Sequence, residues 1–167
     1  GIQDAYMKSK NMDYFEKSKR ATLSNRNYCI KNPGQFKGYG ENCWGLTACD
    51  GPYNGEKTID GKKYNFFDYR ARGACSINIV DDGTIAPTAA GGSFPFTPIE
   101  AEAALKHMWE TYHDDLIGDF GYKDAFNPTY RDEKHSNGWF DTDYLGIDQG
   151  PILLQIQNHE TELIWKT

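Results

Sequence analysis

The chain has 167 residues, a net charge of −6 and a pI near 5.2, and no apolar run approaches the ~18 residues of a membrane span. Leu, Ile, Val and Phe make only 30 residues, but aromatics reach 14% and the net charge is modest, which excludes disorder. Residues 1–40 hold eight Lys/Arg against three Asp/Glu; the remainder holds ten against 21, and this acidic body repels phosphates and excludes a nucleic-acid ligand.

Phe15, Ala21, Thr22, Asn25, Tyr28 and Cys29 recur near helical spacing and predict a helix over 13–32, stopped by Pro33-Gly34. Residues 34–96 are irregular by pattern and rich in glycine. A short helix is expected near 86–94 with Pro87 in its first turn, although Gly91-Gly92 oppose it. The clearest helix spans 98–113. There Thr97 suits the N-cap, Pro98 the first position, and Glu100 completes a capping box. Leu105, Met108, Trp109 and Tyr112 form its expected apolar stripe. Residues 118–146 return to loop composition. A last helix over about 148–159 is expected to start on Asp148 as a cap and to bury Ile152, Leu153 and Ile156. With Val80 the sole valine, little β structure is expected. The fold class read from these elements is mainly α, with helices joined by long polar, aromatic loops.

Cys29, Cys43, Cys49 and Cys75 lack metal-ligand spacing. Buried free thiols are expected, with a Cys43–Cys49 or Cys29–Cys75 disulfide open in an oxidising compartment. No nucleophile elbow, Ser-His-Asp order or phosphate loop is present, and Gly38-Tyr39-Gly40 is too weak to indicate a nucleotide. No cofactor and no metal are expected; Asp81-Asp82 lacks the alternating oxygen ligands of a calcium loop.

Three loop clusters combine acids, amides and rings. They are Tyr39–Gly45 running on to Asp50-Gly51-Pro52; Arg72 with Asp81–Thr84; and Gly121–Asn127 with Trp139, Asp141, Asp143 and Asp148-Gln149-Gly150. Aromatic faces stack on sugar rings while Asp, Asn, Gln and Arg grip hydroxyls, and paired carboxylates supply acid–base chemistry at a glycosidic bond. Any single acid is equally a turn former, as in Asp50-Gly51, Asp60-Gly61 and Asp82-Gly83.

The runs Gly40-Glu41-Asn42-Cys43-Trp44-Gly45, Asp82–Ala90, Gly121–Asn127 and Tyr144–Ile152 occur in an order and spacing that resemble the bacterial glucoamylase-like family. Characterised members of that family include endo-β-1,2-glucanases of glycoside hydrolase family 144. The resemblance covers about Phe15 to Trp165 and implies part of an (α/α)6 toroid that hydrolyses a β-glucan. It implies an inverting, endo-acting enzyme on β-1,2-glucan. Glu41 and Asp124 would be its acid and base, with Asp148 in reserve. Trp44, Asp50, Arg72, Asn127, Trp139 and Gln149 would bind the substrate, the two indoles as stacking platforms. Twelve helices need roughly 190 residues, so this chain is too short to close the toroid alone. It is expected to be the C-terminal portion of the domain, partnered by a missing N-terminal half and by an oligo- or polysaccharide, in the periplasm or outside the cell. The rival expectations are a non-catalytic carbohydrate-binding or scaffold fragment, and a glucoamylase-like α-glucan hydrolase.

Overall fold

A chain short of aliphatic side chains builds its core from rings, thiols and small residues. In the computed structural model, which describes residues 9, 10, 13–75 and 77–166, the main core gathers Cys29, Cys43, Trp44, Leu46, Ile85, Ala90, Ala104, Met108, Leu116 and Phe126. Phe140 stacks on Phe126 with centroids 5.7 Å apart and planes 3° from parallel. All four cysteines are free; Cys29, Cys43 and Cys49 are buried and Cys75 is exposed.

Helix α1 (Tyr14–Lys31) matches its predicted span. Asp13 caps it by accepting from the Glu16 amide at 3.1 Å, and Asn32 ends it at φ 43° in the left-handed region. Beyond it the described residues form five two-stranded antiparallel ribbons. These are β1 (Ala48–Cys49) with β4 (Arg70–Ala71), β2 (Gly55–Ile59) with β3 (Lys62–Phe66), β5 (Gly73–Ala74) with β6 (Ile79–Val80), β7 (Ile117–Gly118) with β8 (Gly121–Tyr122), and β9 (Phe126–Asn127) with β10 (Trp139–Phe140). The fold is therefore mixed, and the expectation of a mainly α chain is corrected. Most of these strands are two residues long and carry no alternation for a sequence pattern to detect. The β2–β3 hairpin turns on Asp60 (φ 51°) and Gly61 (φ 79°), the paired left-handed conformations of a two-residue turn.

The short helix α2 (Pro87–Gly91) forms where Pro87 predicted it. It packs against α3 (Pro98–Leu116) and α4 (Gly146–Thr161). Gly91 makes the second contact possible: a Cβ there would lie 2.7 Å from Ile152 Cγ1. α3 is longer than expected, with Tyr112 out of helical geometry at φ −125°. Its capping box does not form. Thr97 sits at φ −144°, ψ 65° with its amide on Ser93 O, and its buried hydroxyl finds no partner. The buried face of α3 is Ala101, Ala104, Met108 and Leu116, so the stripe is rotated from the predicted one and Trp109 is left 49% exposed. α4 begins two residues early, with Leu145 at the N-cap and Asp148 inside the first turn. It buries Asp148, Ile152 and Asn158, whereas Leu153 faces out. The chain then enters α5 (Leu163–Lys166), where Asn158 Oδ1 accepts from the amides of Ile164 and Trp165 at 3.1 Å.

Candidate active site

Four aspartates arrive at one place, three from loops and one from a helix. Asp50 follows β1, Asp124 lies between β8 and β9, Asp141 follows β10, and Asp148 occupies the first turn of α4. Backbone bonds fix this convergence. The Asp124 amide donates to Asp143 O at 3.0 Å, the Asp141 amide to Ala125 O at 2.9 Å, and Thr88 Oγ1 to Asp148 O at 3.1 Å. Asp124 Oδ2 accepts from the Asp50 amide at 2.8 Å. Asp124 and Asp148 face the same cavity, near enough for a side-chain hydrogen bond when one of them carries a proton.

The group is nearly closed to solvent, with Asp124 2%, Asp148 7% and Asp141 8% exposed. Burial raises the Asp124 carboxyl; the Asp50 amide opposes that, the Asp148 charge adds to it, and the result is a pKa pushed up to about 6. Burial also lifts Asp148, although its bond with Asp124 pulls the other way. Asp141 is raised by burial and by the charges of Asp124 and Asp50, against two bonds from the Thr142 and Asp143 amides. Carboxylate oxygens of Asp50, Asp124 and Asp141 lie within 4.8 Å of one another. Acids so close hold protons in common or a hard divalent cation, and these three are the residues that could hold one.

Asp50, Asp124 and Asp148 open onto a cavity of about 330 Å³ that Thr47, Cys49, Tyr69, Thr88 and Ile147 help to line. A larger hollow of about 520 Å³ lies along α1 beside Arg20, Lys31 and Ala74, but no carboxylate lines it. The clustered carboxylates therefore line the smaller cavity.

The other expected site residues are elsewhere or otherwise engaged. Glu41 is outside the cavity lining, with its exposed carboxylate 3.0 Å from the Arg26 guanidinium. Trp44 is 1% exposed in the main core, where no sugar can stack on it. Trp139 packs between two small clusters built on Cys49–Ala86–Ala125 and Ile59–Phe66–Tyr130. The Arg72 side chain is fully buried on Asp82 and so is not a sugar ligand. Asn127 spends its whole amide on Asp82 O, Thr84 Oγ1 and the amides of Thr129 and Tyr130. Gln149 donates to the Tyr122 carbonyl, tying α4 to β8. Asp50 lines the cavity as one of the clustered acids. Two residues went unselected from the sequence. Asp141 was one acid among several in its loop. Tyr69, 64% exposed at the cavity wall, is marked only by the aromatic run Phe66-Phe67-Asp68-Tyr69.

Residues 1–167 match the profile of the family described as "Putative glucoamylase". The chain belongs to that glucoamylase family. It is 34% identical over 165 residues to an exo beta-1,2-glucooligosaccharide sophorohydrolase (non-reducing end) of Parabacteroides distasonis, covering 99% of this chain and 20% of that protein. Among solved structures it resembles an endo-beta-1,2-glucanase of Chitinophaga pinensis in complex with sophorotriose and glucose, with a TM-score of 0.74 and 34% identity over 98% of this chain and 32% of that one. It also resembles a beta-1,2-glucanase of P. distasonis, with a TM-score of 0.74 and 35% identity over 93% of this chain and 19% of that one. This glucoamylase-family chain thus spans between a fifth and a third of the length of these relatives.

Proposed function

We propose that the chain is the C-terminal portion of an (α/α)6 glycoside hydrolase that cleaves β-1,2-glucan. The observation that carries this reading is the cluster of buried carboxylates, Asp124 and Asp148 foremost, gathered on one cavity. A carboxylic acid held protonated toward neutral pH is what a glycosidic oxygen needs in order to leave. Asp124 is the acid–base group, and the neighbouring Asp148 charge helps it to keep its proton. Tyr69 offers the exposed ring on which a glucose unit can stack.

The cluster also limits what this chain does alone. An inverting pair stands ~6.5–9.5 Å apart to admit a water. Asp50 and Asp141 crowd within 4.8 Å of Asp124, and Asp148 lines the same cavity with its charge bearing on Asp124. The opposing carboxylate therefore comes from outside this group, from the remainder of a polypeptide the length of the relatives. Such a protein meets its polymer in the periplasm or outside the cell, which fractionation tests.

The decisive experiment digests β-1,2-glucan and starch with the full-length protein and its Asp124→Asn variant. Cleavage of the β-glucan with at least about a 100-fold loss in the variant is expected. Starch cleavage would instead assign an α-glucan, and β-glucan binding without turnover would make the chain a binding fragment. The Asp50–Asp124–Asp141 trio favours one second reading, a bound divalent cation; activity abolished by a chelator and restored by calcium or magnesium would establish it.

A further inference from the structure

Arg72 has no contact with the cavity, yet it is the most heavily bonded side chain near it. Its Nε and Nη2 grip Asp82 Oδ1 and Oδ2 at 2.7 and 2.8 Å. Nη1 donates to Cys49 O at 2.8 Å and reaches Asp50 O at 3.4 Å. Nη2 also donates to Phe67 O and Asp68 O, both at 3.1 Å. Asp82 is itself held by the amides of Phe67 and Thr84. The guanidinium thus clamps the carbonyl side of Cys49 and Asp50, while the Asp50 amide points the other way, to Asp124 Oδ2 at 2.8 Å.

We infer that Arg72 is a positioning residue for Asp124, acting through the Cys49–Asp50 loop. The inference rests on the reading of Asp124 as the acid–base group. Gly51 supplies independent geometric support. A Cβ at Gly51 would lie 2.2 Å from Phe67 O and 2.3 Å from Arg72 Nη2, so the loop lies against the clamp with no room for a side chain. Only a planar fork can hold the Asp82 carboxylate and the Cys49 and Phe67 carbonyls together. A lysine keeps the charge opposite Asp82 but surrenders the fork.

Once the clamp is loosened, the Asp50 amide drifts, and Asp124 Oδ2 loses the donor at 2.8 Å that fixes its orientation toward the cavity.

The test compares wild type, Arg72→Lys, Gly51→Ala and Asp124→Asn of the full-length protein, with kcat and KM on β-1,2-glucan and the melting temperature as readouts. Arg72→Lys is expected to lower kcat by about 10- to 100-fold and to leave KM within about threefold. Gly51→Ala is expected to show the same split, and it decides the matter should the lysine variant not fold. Folded variants that keep the wild-type kcat, or that lose activity through KM alone, would overturn the positioning role while leaving the catalytic reading intact, whatever their melting temperature. Full hydrolysis by Asp124→Asn would instead remove the catalytic reading itself.

Discussion

Asp124 keeps its proton partly because Asp148 is beside it. Replacing that neighbour by Asn removes a negative charge, so the Asp124 pKa is expected to fall back from about 6 toward the ordinary 3.8. The pH limb governed by Asp124 then shifts acidic in Asp148→Asn, which pH-dependent kcat measurements of the full-length protein check. Asn127 illustrates the opposite kind of buried polar residue. Its amide fills two donor and two acceptor positions within the fold. Asn127→Ala is expected to destabilise by roughly 2–4 kcal/mol in denaturant unfolding, because four buried partners lose a bond at once. From the sequence these residues looked alike. Composition marks which side chains can grip a sugar, but burial decides whether a sugar can reach them. Arg72, Trp44 and Asn127 are used inside, while Asp50, Asp124 and Asp148 face the cavity.

At the scale of elements, helices with strong stop signals were legible. Pro33 ends α1, Pro87 opens α2, and Pro98 opens α3 within a residue of expectation. The ribbons were not, since two-residue strands are selected by tertiary hydrogen bonds rather than by periodicity. The rotated face of α3 has a similar origin. Small Ala101 and Ala104 let neighbouring segments approach, so the bulky Trp109 is turned outward. Close approach also governs the α2–α4 contact. Gly91→Ala places a methyl 2.7 Å from Ile152 Cγ1, and the repacking is expected to cost about 1–3 kcal/mol, read as a lower thermal midpoint.

Across the whole molecule, Asp124, Asp148 and Asp141 all hold protons more tightly than an unfolded aspartate does. The folded state therefore binds the extra protons, and stability from this cluster is greatest near pH 4 and declines as pH rises toward and past 6. Asp132, lowered to about 2 by the hydrogen bonds it accepts, works in the other window, and its contribution is lost only on acidification below about 4. Thermal unfolding of the full-length protein between pH 4 and 8 is expected to show the decline, and Asp124→Asn to flatten it. Apolar side chains of α3, α4 and α5 stay uncovered, among them Trp109, Leu153, Leu154 and Trp165. Expressed alone, the 167 residues are expected to self-associate or bind a hydrophobic dye, where the full-length protein does neither.

Burial also divides the four thiols. Cys29 and Cys49 are pushed up to about 12, and Cys43 is raised further still, each chiefly by burial. Cys75 stands in the open. Among these 167 residues a maleimide reagent thus has one address, in the β5–β6 turn, and a fluorophore or spin label can be installed there without mutagenesis. The three sheltered sulfurs become reactive only as the surrounding packing opens, so the pace of their alkylation serves as a clock for that opening.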